Sequence, residues 1–246
     1  MTGHFLVVGA QRCGTTYLHD LLAGHPQISM ARPARPEPKV FLREEPLTAD
    51  AYRATYFGHA APGDLLGEKS TSYLEVPGVP DRVAATLGSP KIVVQLRDPV
   101  ARAVSNWSFS RDHGVEDRPL EEALRADLTT QREWDPDTSS VSPYAYVSRG
   151  RYAADVARWR ERFDVHVQFL EELLEDRHTI GHLYAWLGVD GDVRPDVGDA
   201  PVNASSTTPG GLGPGLVAEL RDHYRDSDTA LAQLLGRDLP WRRKDS

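Results

Sequence analysis

The stretch Gly9-Ala10-Gln11-Arg12-Cys13-Gly14-Thr15-Thr16 has G-x-x-x-x-G spacing and closes on a pair of hydroxyls. Backbone N–H groups around Gly14 would converge at a helix start, where the macrodipole favours an anion. Thr15 and Thr16 add hydroxyl donors, and Arg12 puts a permanent positive charge inside the turn. The chemistry on offer is the grip of a phosphate-like group. The lysine that such loops carry before Ser/Thr is absent, and no convincing aspartate partner for magnesium stands out, so no metal is expected. A tight turn with glycines for geometry alone is the bland alternative.

A second strand end points the same way. Lys91-Ile92-Val93-Val94-Gln95-Leu96 runs into Arg97-Asp98-Pro99, and Ser105 follows two helical turns on. Arg97 can fork onto a phosphate while Ser105 donates from the helix face. Taken singly, Arg97-Asp98 could be an ordinary surface turn, with Asp98 capping a helix that opens at Pro99.

These residues need elements to carry them. Phe5–Gly9 is a short continuous apolar run, as expected of a central parallel strand, and Tyr17, Leu18, Leu21 and Leu22 recur at helical spacing up to Gly24. Pro33, Pro36 and Pro38 make an extended loop into Val40-Phe41-Leu42, followed by a helix around 50–57 and a strand end at 65–70. Val100, Ala103, Val104 and Trp107 define the helix after Arg97, residues 150–163 another, and 165–174 a strand turning helical. Thr179–Val189 and Leu216–Leu235 are amphipathic helices. Alternation of this kind means an α/β fold, a P-loop-like central parallel β-sheet flanked by helices, in a single domain over 1–246. Residues 129–148, aperiodic and rich in Ser, Thr, Pro and Asp, are expected to be a lid or substrate loop.

Composition narrows the function classes. With 40% hydrophobic and 26% charged residues the 246-residue chain is an ordinary globular protein, and its formal net charge of -8 argues against general nucleic-acid or anionic-membrane binding. Its one cysteine, Cys13, allows no internal disulfide and suits a reducing compartment. No apolar run approaches a membrane span, and the first residues lack the pattern of a signal peptide, so a cytoplasmic protein is expected.

Two phosphate-binding strand ends in one parallel sheet resemble the sulfotransferases that use 3′-phosphoadenosine 5′-phosphosulfate, in particular their bacterial and heparan-type branch. VVGAQRCGTTYLHDLLAGHP is similar to that family's 5′-phosphosulfate loop, and VVQLRDPVARAVSNW to its 3′-phosphate site. EPKVFL, GEKSTSYL, SRGRYAADVARWRERF, VNASS and HYRDSDTALAQLLGRDLPW resemble further family segments in order. The resemblance implies sulfuryl transfer to a hydroxyl or amine of a small-molecule acceptor, leaving 3′,5′-ADP and needing no magnesium.

It also implies roles. Arg12, Cys13, Gly14, Thr15 and Thr16 would hold the phosphosulfate, with Arg12 standing where the family usually has lysine and serving as an electrostatic clamp. Arg97 and Ser105 would hold the 3′-phosphate, and Gly150, Arg151 and Tyr152 the 3′-phosphate or adenine side. Glu37 aligns with the general base and Lys69 with a second catalytic lysine. Lys39 and His113 are candidates for facing the acceptor. His4 and His59 are expected to be structural or exposed, Arg149 exposed, and Trp107 and Trp159 core residues. A P-loop kinase or nucleotide hydrolase, and a family member that binds nucleotide without catalysis, remain the alternatives.

Overall fold

The computed structural model describes residues 3–45, 47–135, 138–198 and 210–245. Five parallel strands, β1 (His4–Gly9), β2 (Ile28–Met30), β3 (Leu65–Lys69), β4 (Lys91–Leu96) and β5 (Val165–Phe169), form one sheet in the order β2-β3-β1-β4-β5. The nine described helices are α1 (Thr15–Ala23), α2 (Ala49–Tyr56), α3 (Val79–Leu87), α4 (Pro99–Asp112), α5 (Leu120–Thr129), α6 (Tyr152–Arg160), α7 (Leu170–Glu175), α8 (Ile180–Leu187) and α9 (Pro214–Leu235). The expected α/β class with a central parallel sheet is what the chain adopts. The chain divides into two compact units, Met1–Leu96 with Arg158–Val202, and Arg97–Ala157 with Asn203–Ser246.

The first unit holds the whole sheet. β1 is fully buried, as its unbroken apolar run requires of a central parallel strand. Phe5 and Val7 pack with Tyr17, Leu18, Leu21 and Leu22 of α1, Leu173 of α7 and Leu183, Tyr184 and Leu187 of α8. Leu6 and Val8, on the opposite face by the two-residue period of a strand, have no exposed surface either. Burial on this scale, at about 1.5–3 kcal/mol per large apolar side chain, fixes the strand order. After β1 the chain builds outward to β2, and after β3 it crosses to β4 on the other side of β1. In parallel sheets the crevice beyond the carboxyl ends at such a switch point is where ligands bind.

In the second unit Val100, Ala103 and Trp107 of α4 pack with Leu120, Ala123 and Leu124 of α5, with Tyr146 and Val147, and with Leu216, Leu220 and Tyr224 of α9. The helical face read from residues 100–107 is therefore the buried one. Asp98 caps α4 by accepting from Val100 N–H at 2.9 Å. Of the segment expected as a lid, residues 130–135 and 138–147 are irregular, with α5 running to Thr129 and a short 3-10 turn starting at Ser148. The VNASS segment, 202–206, lies outside the described residues. No helix among the described residues is long and apolar enough to cross a membrane.

Candidate active site

The glycine loop leaves β1 at the middle of the sheet. Gly9 is registered against Val94 of β4, and Ala10 N–H donates to the Gln95 carbonyl at 2.8 Å. Gln95, fully buried, returns its Nε2 to the Cys13 carbonyl at 2.7 Å, so one side chain of β4 ties down the far side of the turn. Arg12 and Gly14 both take left-handed backbone, with φ of 65° and 74°. At Gly14 a Cβ would also stand 2.6 Å from Leu170 Cδ1, so only glycine fits where the turn meets α7. α1 then starts at Thr15 with no acidic residue in its first turn and no side-chain cap, which leaves its positive end facing the loop. Thr15 is buried and Thr16 half-buried. The Cys13 side chain has no exposed surface, and its thiol donates to the Gln11 carbonyl at 3.7 Å.

Beside β1 stands the tip of β3, with Lys69 registered opposite Val7. Lys69 Nζ donates to Glu37 Oε1 at 2.6 Å, a pair that keeps only 8% and 16% of its side-chain surface exposed. Thr71 N–H donates to Glu37 Oε2 at 2.9 Å, and its hydroxyl lies 3.1 and 3.2 Å from the two carboxylate oxygens. The residues read as base and second lysine, 32 positions apart, thus share one hydrogen-bonded cluster. Lys39, half-buried, has a left-handed backbone with φ of 52°, and its N–H donates to Ser70 Oγ at 2.9 Å. Gln11 Nε2 donates to Ser72 Oγ at 3.1 Å, which links the glycine loop to the segment after β3.

In the second unit Arg97 is half-buried and its carbonyl accepts from Tyr152 OH at 2.9 Å. Asp98 next to it is gripped by Arg221 of α9 through two bonds of 2.7 and 2.8 Å. Ser105 is half-buried on α4. Gly150 is where Pro99 and Tyr224 crowd in, since a Cβ there would meet them at 2.9 and 2.8 Å. Arg151 is exposed and Tyr152 buried. Arg149, expected at the surface, is instead buried, donating to Asn106 Oδ1 at 3.3 Å and to the Ser142 carbonyl at 2.9 Å. The five donors and planar fork of arginine let it satisfy such carbonyls, which composition alone does not announce. His113 ends α4, exposed, with its ring 4.0 Å from that of Phe109. His4 is structural: burial, with Arg53 beside it, lowers its pKa to about 4, so it stays neutral.

Three side chains central to the cluster, Glu68, Ser70 and Thr71, carry no role in the sequence reading. The signal was present in Glu68-Lys69-Ser70-Thr71, because alternate residues of a strand end address opposite sides.

Comparison with known proteins places this geometry among relatives. The family model described as the sulfotransferase domain matches residues 2–195. A mouse bifunctional heparan sulfate N-deacetylase/N-sulfotransferase 4 is 29% identical over 65% of the chain and 19% of its own length. The human heparan sulfate glucosamine 3-O-sulfotransferase 3B1 is 24% identical over 96% of the chain and 64% of its own length. The chain thus spans about a fifth of the first relative and less than two thirds of the second. A crystal structure of a sulfotransferase from Alicyclobacillus acidocaldarius superposes with a TM-score of 0.79 at 27% identity, covering 99% of both chains.

Proposed function

We propose that this chain, which belongs to the sulfotransferase family, moves a sulfuryl group from 3′-phosphoadenosine 5′-phosphosulfate to a hydroxyl or amine of a small-molecule acceptor. The observation that carries the reading is the Glu37–Lys69 contact of 2.6 Å on the strand tip next to the glycine loop. It joins a carboxylate suited to proton removal with a cation suited to an anionic donor. When bound, the donor supplies the activated sulfuryl group and an adenosine bisphosphate leaving group.

The donor set fits an anion with no metal ligand in the scheme. Arg12 clamps charge inside the turn, Gly14 lets the backbone approach, and Thr15 and Thr16 form the first turn of α1, at its positive end. Cys13 contributes backbone and a small side chain. Arg97 and Ser105 are assigned to the 3′-phosphate, and Gly150, Arg151 and Tyr152 to the phosphate or adenine side, on the family resemblance. Lys69 and Thr71 orient Glu37, whose Oε2 takes the proton of the acceptor hydroxyl or amine. Lys39 and His113 are assigned to the acceptor. Residues 129–148 are assigned to a loop that covers it.

The two heparan relatives are named for N- and for 3-O-sulfotransfer, which supports keeping both acceptor types. The acidic balance of the chain favours a small acceptor over a long polyanion, and its single cysteine fits a reducing, cytoplasmic setting.

Donor competition tests the reading. 3′,5′-ADP is expected to raise the melting temperature far more than ATP with magnesium; stabilisation by magnesium–ATP alone would point to a kinase or nucleotide hydrolase. Glu37→Gln and Lys69→Ala are each expected to lose turnover of labelled donor while keeping 3′,5′-ADP affinity. Unchanged rates in both would remove the mechanism. Arg97→Ala is expected to weaken 3′,5′-ADP binding by about 1.5–3 kcal/mol, the value of a hydrogen bond to a charged group.

A further inference from the structure

The tip of β3 works on two sides. Lys69 and Thr71 meet the Glu37 carboxylate, while Ser70 donates to the Glu68 carboxylate. Glu68 is 1% exposed and receives three hydroxyls: Ser70 Oγ at 2.6 Å and Tyr73 OH at 2.7 Å on Oε1, and Tyr52 OH at 2.6 Å on Oε2. No ion pair to it occurs among the described residues. Two of those hydroxyls are themselves acceptors from the loop that carries Glu37. Lys39 N–H donates to Ser70 Oγ at 2.9 Å, and Phe41 N–H donates to Tyr73 OH at 3.1 Å.

We propose that Glu68 is the positioning residue for Glu37, holding the 39–41 backbone through the Ser70 and Tyr73 hydroxyl relays while Lys69 and Thr71 hold the carboxylate from the other side. The proposal rests on Glu37 being the base. Each relay hydroxyl has one proton, and having accepted a backbone N–H it must donate that proton inward. The hub therefore has to be an acceptor at Oε1, and a carboxylate is an acceptor on both oxygens. The relay ends at the residue that most needs holding. Lys39 has φ of 52°, a left-handed conformation that a non-glycine residue adopts only when its surroundings impose it. Phe41 is fastened a second time, its carbonyl accepting from Arg82 Nε at 2.7 Å. Burial, with the Glu37 charge adding to it, raises the Glu68 pKa against the lowering effect of its three hydroxyl partners.

The test compares three variants with the parent protein. Ser70→Ala/Tyr73→Phe cuts both relays and leaves Glu37, Lys69 and Thr71 intact. It is expected to lower kcat about 10- to 100-fold, the cost of an ångström-scale misplacement, with 3′,5′-ADP affinity within twofold of wild type. Glu68→Ala is expected to do the same, and Glu68→Gln, which keeps a carbonyl oxygen for the relays, to recover most of the loss. Amide hydrogen exchange at Lys39 and Phe41 reads the relays without any turnover; both amides are expected to lose protection in the double variant and regain it in Glu68→Gln. Unchanged kcat in the double variant, or unchanged protection of the two amides, overturns the proposal. Full turnover in Glu37→Gln overturns Glu37 as the base instead, and in that case lost amide protection still reports the relays.

Discussion

Glu68 in the first unit and Glu116 in the second are both hidden from solvent, 1% and 2% exposed, yet their carboxyls shift in opposite directions. Glu68 is surrounded by hydroxyls only, so burial dominates and its pKa rises. At Glu116 burial pushes up as well, but Arg118 Nε and Nη2 at 2.9 and 2.6 Å, two backbone N–H groups at 3.1 Å and Tyr146 OH at 3.0 Å overcome it. The result there is a pKa of about 2. Loss of solvent contact alone does not decide the charge of a carboxylate; the charge of its donors weighs against it. Glu116 is a clasp, fastening the 116–118 turn to Tyr146 of the irregular segment. Glu68 is a hub that keeps geometry at the proposed site at the expense of its own solvation.

The clasp gives the largest expected effect. The folded pKa of Glu116 lies below the ordinary glutamate value of 4.5, so its contribution is fully present above that value and is lost as pH falls toward about 2. Glu116→Gln is expected to lose about 1.5–3 kcal/mol at neutral pH, the value of hydrogen bonds to a charged group. Urea denaturation of both proteins should show the difference closing as pH falls from 5 to 3. Parallel curves across that range would show that Arg118 does not single out the ionised form.

Glu68→Gln should give the opposite slope. A raised pKa means the folded state holds the proton more tightly than the unfolded chain, so stability from that group is present at low pH and lost as pH rises. The variant is therefore expected to gain on wild type as pH increases above 4.5, whatever their difference at the start. If both glutamine variants lost ground with rising pH, the contrast between the two carboxylates would be broken.

How much of this was legible depended on the length and partners of each element. β1 and β4 announced themselves as apolar runs ending in glycine or Arg-Asp-Pro, and α4 by its cap and its buried face. β2 has three residues, too few for any period to show. α3 begins Val79-Pro80 after Gly78 and has no counterpart in the sequence reading, although a proline in the first turn favours a helix start. α5 was readable in principle, with Glu121 and Glu122 in its first turn and Leu120, Ala123 and Leu124 buried at helical spacing. At the site, the glycine loop was legible from local spacing. Glu37 and Lys69 came only from resemblance, because nothing local joins residues that the β-sheet brings together across 32 positions. Glu68 escaped because a glutamate beside a lysine reads as surface charge until burial is known.

The finest test removes one hydroxyl from each carboxylate. Among the described residues Tyr52 is the single donor to Glu68 Oε2, at 2.6 Å, whereas Tyr146 shares Glu116 Oε2 with Arg118. Tyr52→Phe keeps its ring packing against Phe41 and Phe57, with centroids at 5.6 and 5.4 Å, so what it loses is the hydrogen bond. That loss is expected to be about 1.5–2 kcal/mol, against roughly 1 kcal/mol or less for Tyr146→Phe, where a cation still holds the charge. The two should also differ in shape. Without Tyr52 the charged form of Glu68 loses a donor, so the penalty of Tyr52→Phe should shrink as pH falls across the measured range and grow as it rises. Glu116, ionised well below that range, keeps its charge, and the Tyr146→Phe penalty should stay level between pH 5 and 8; a level Tyr52→Phe curve would mean Glu68 never changes charge there.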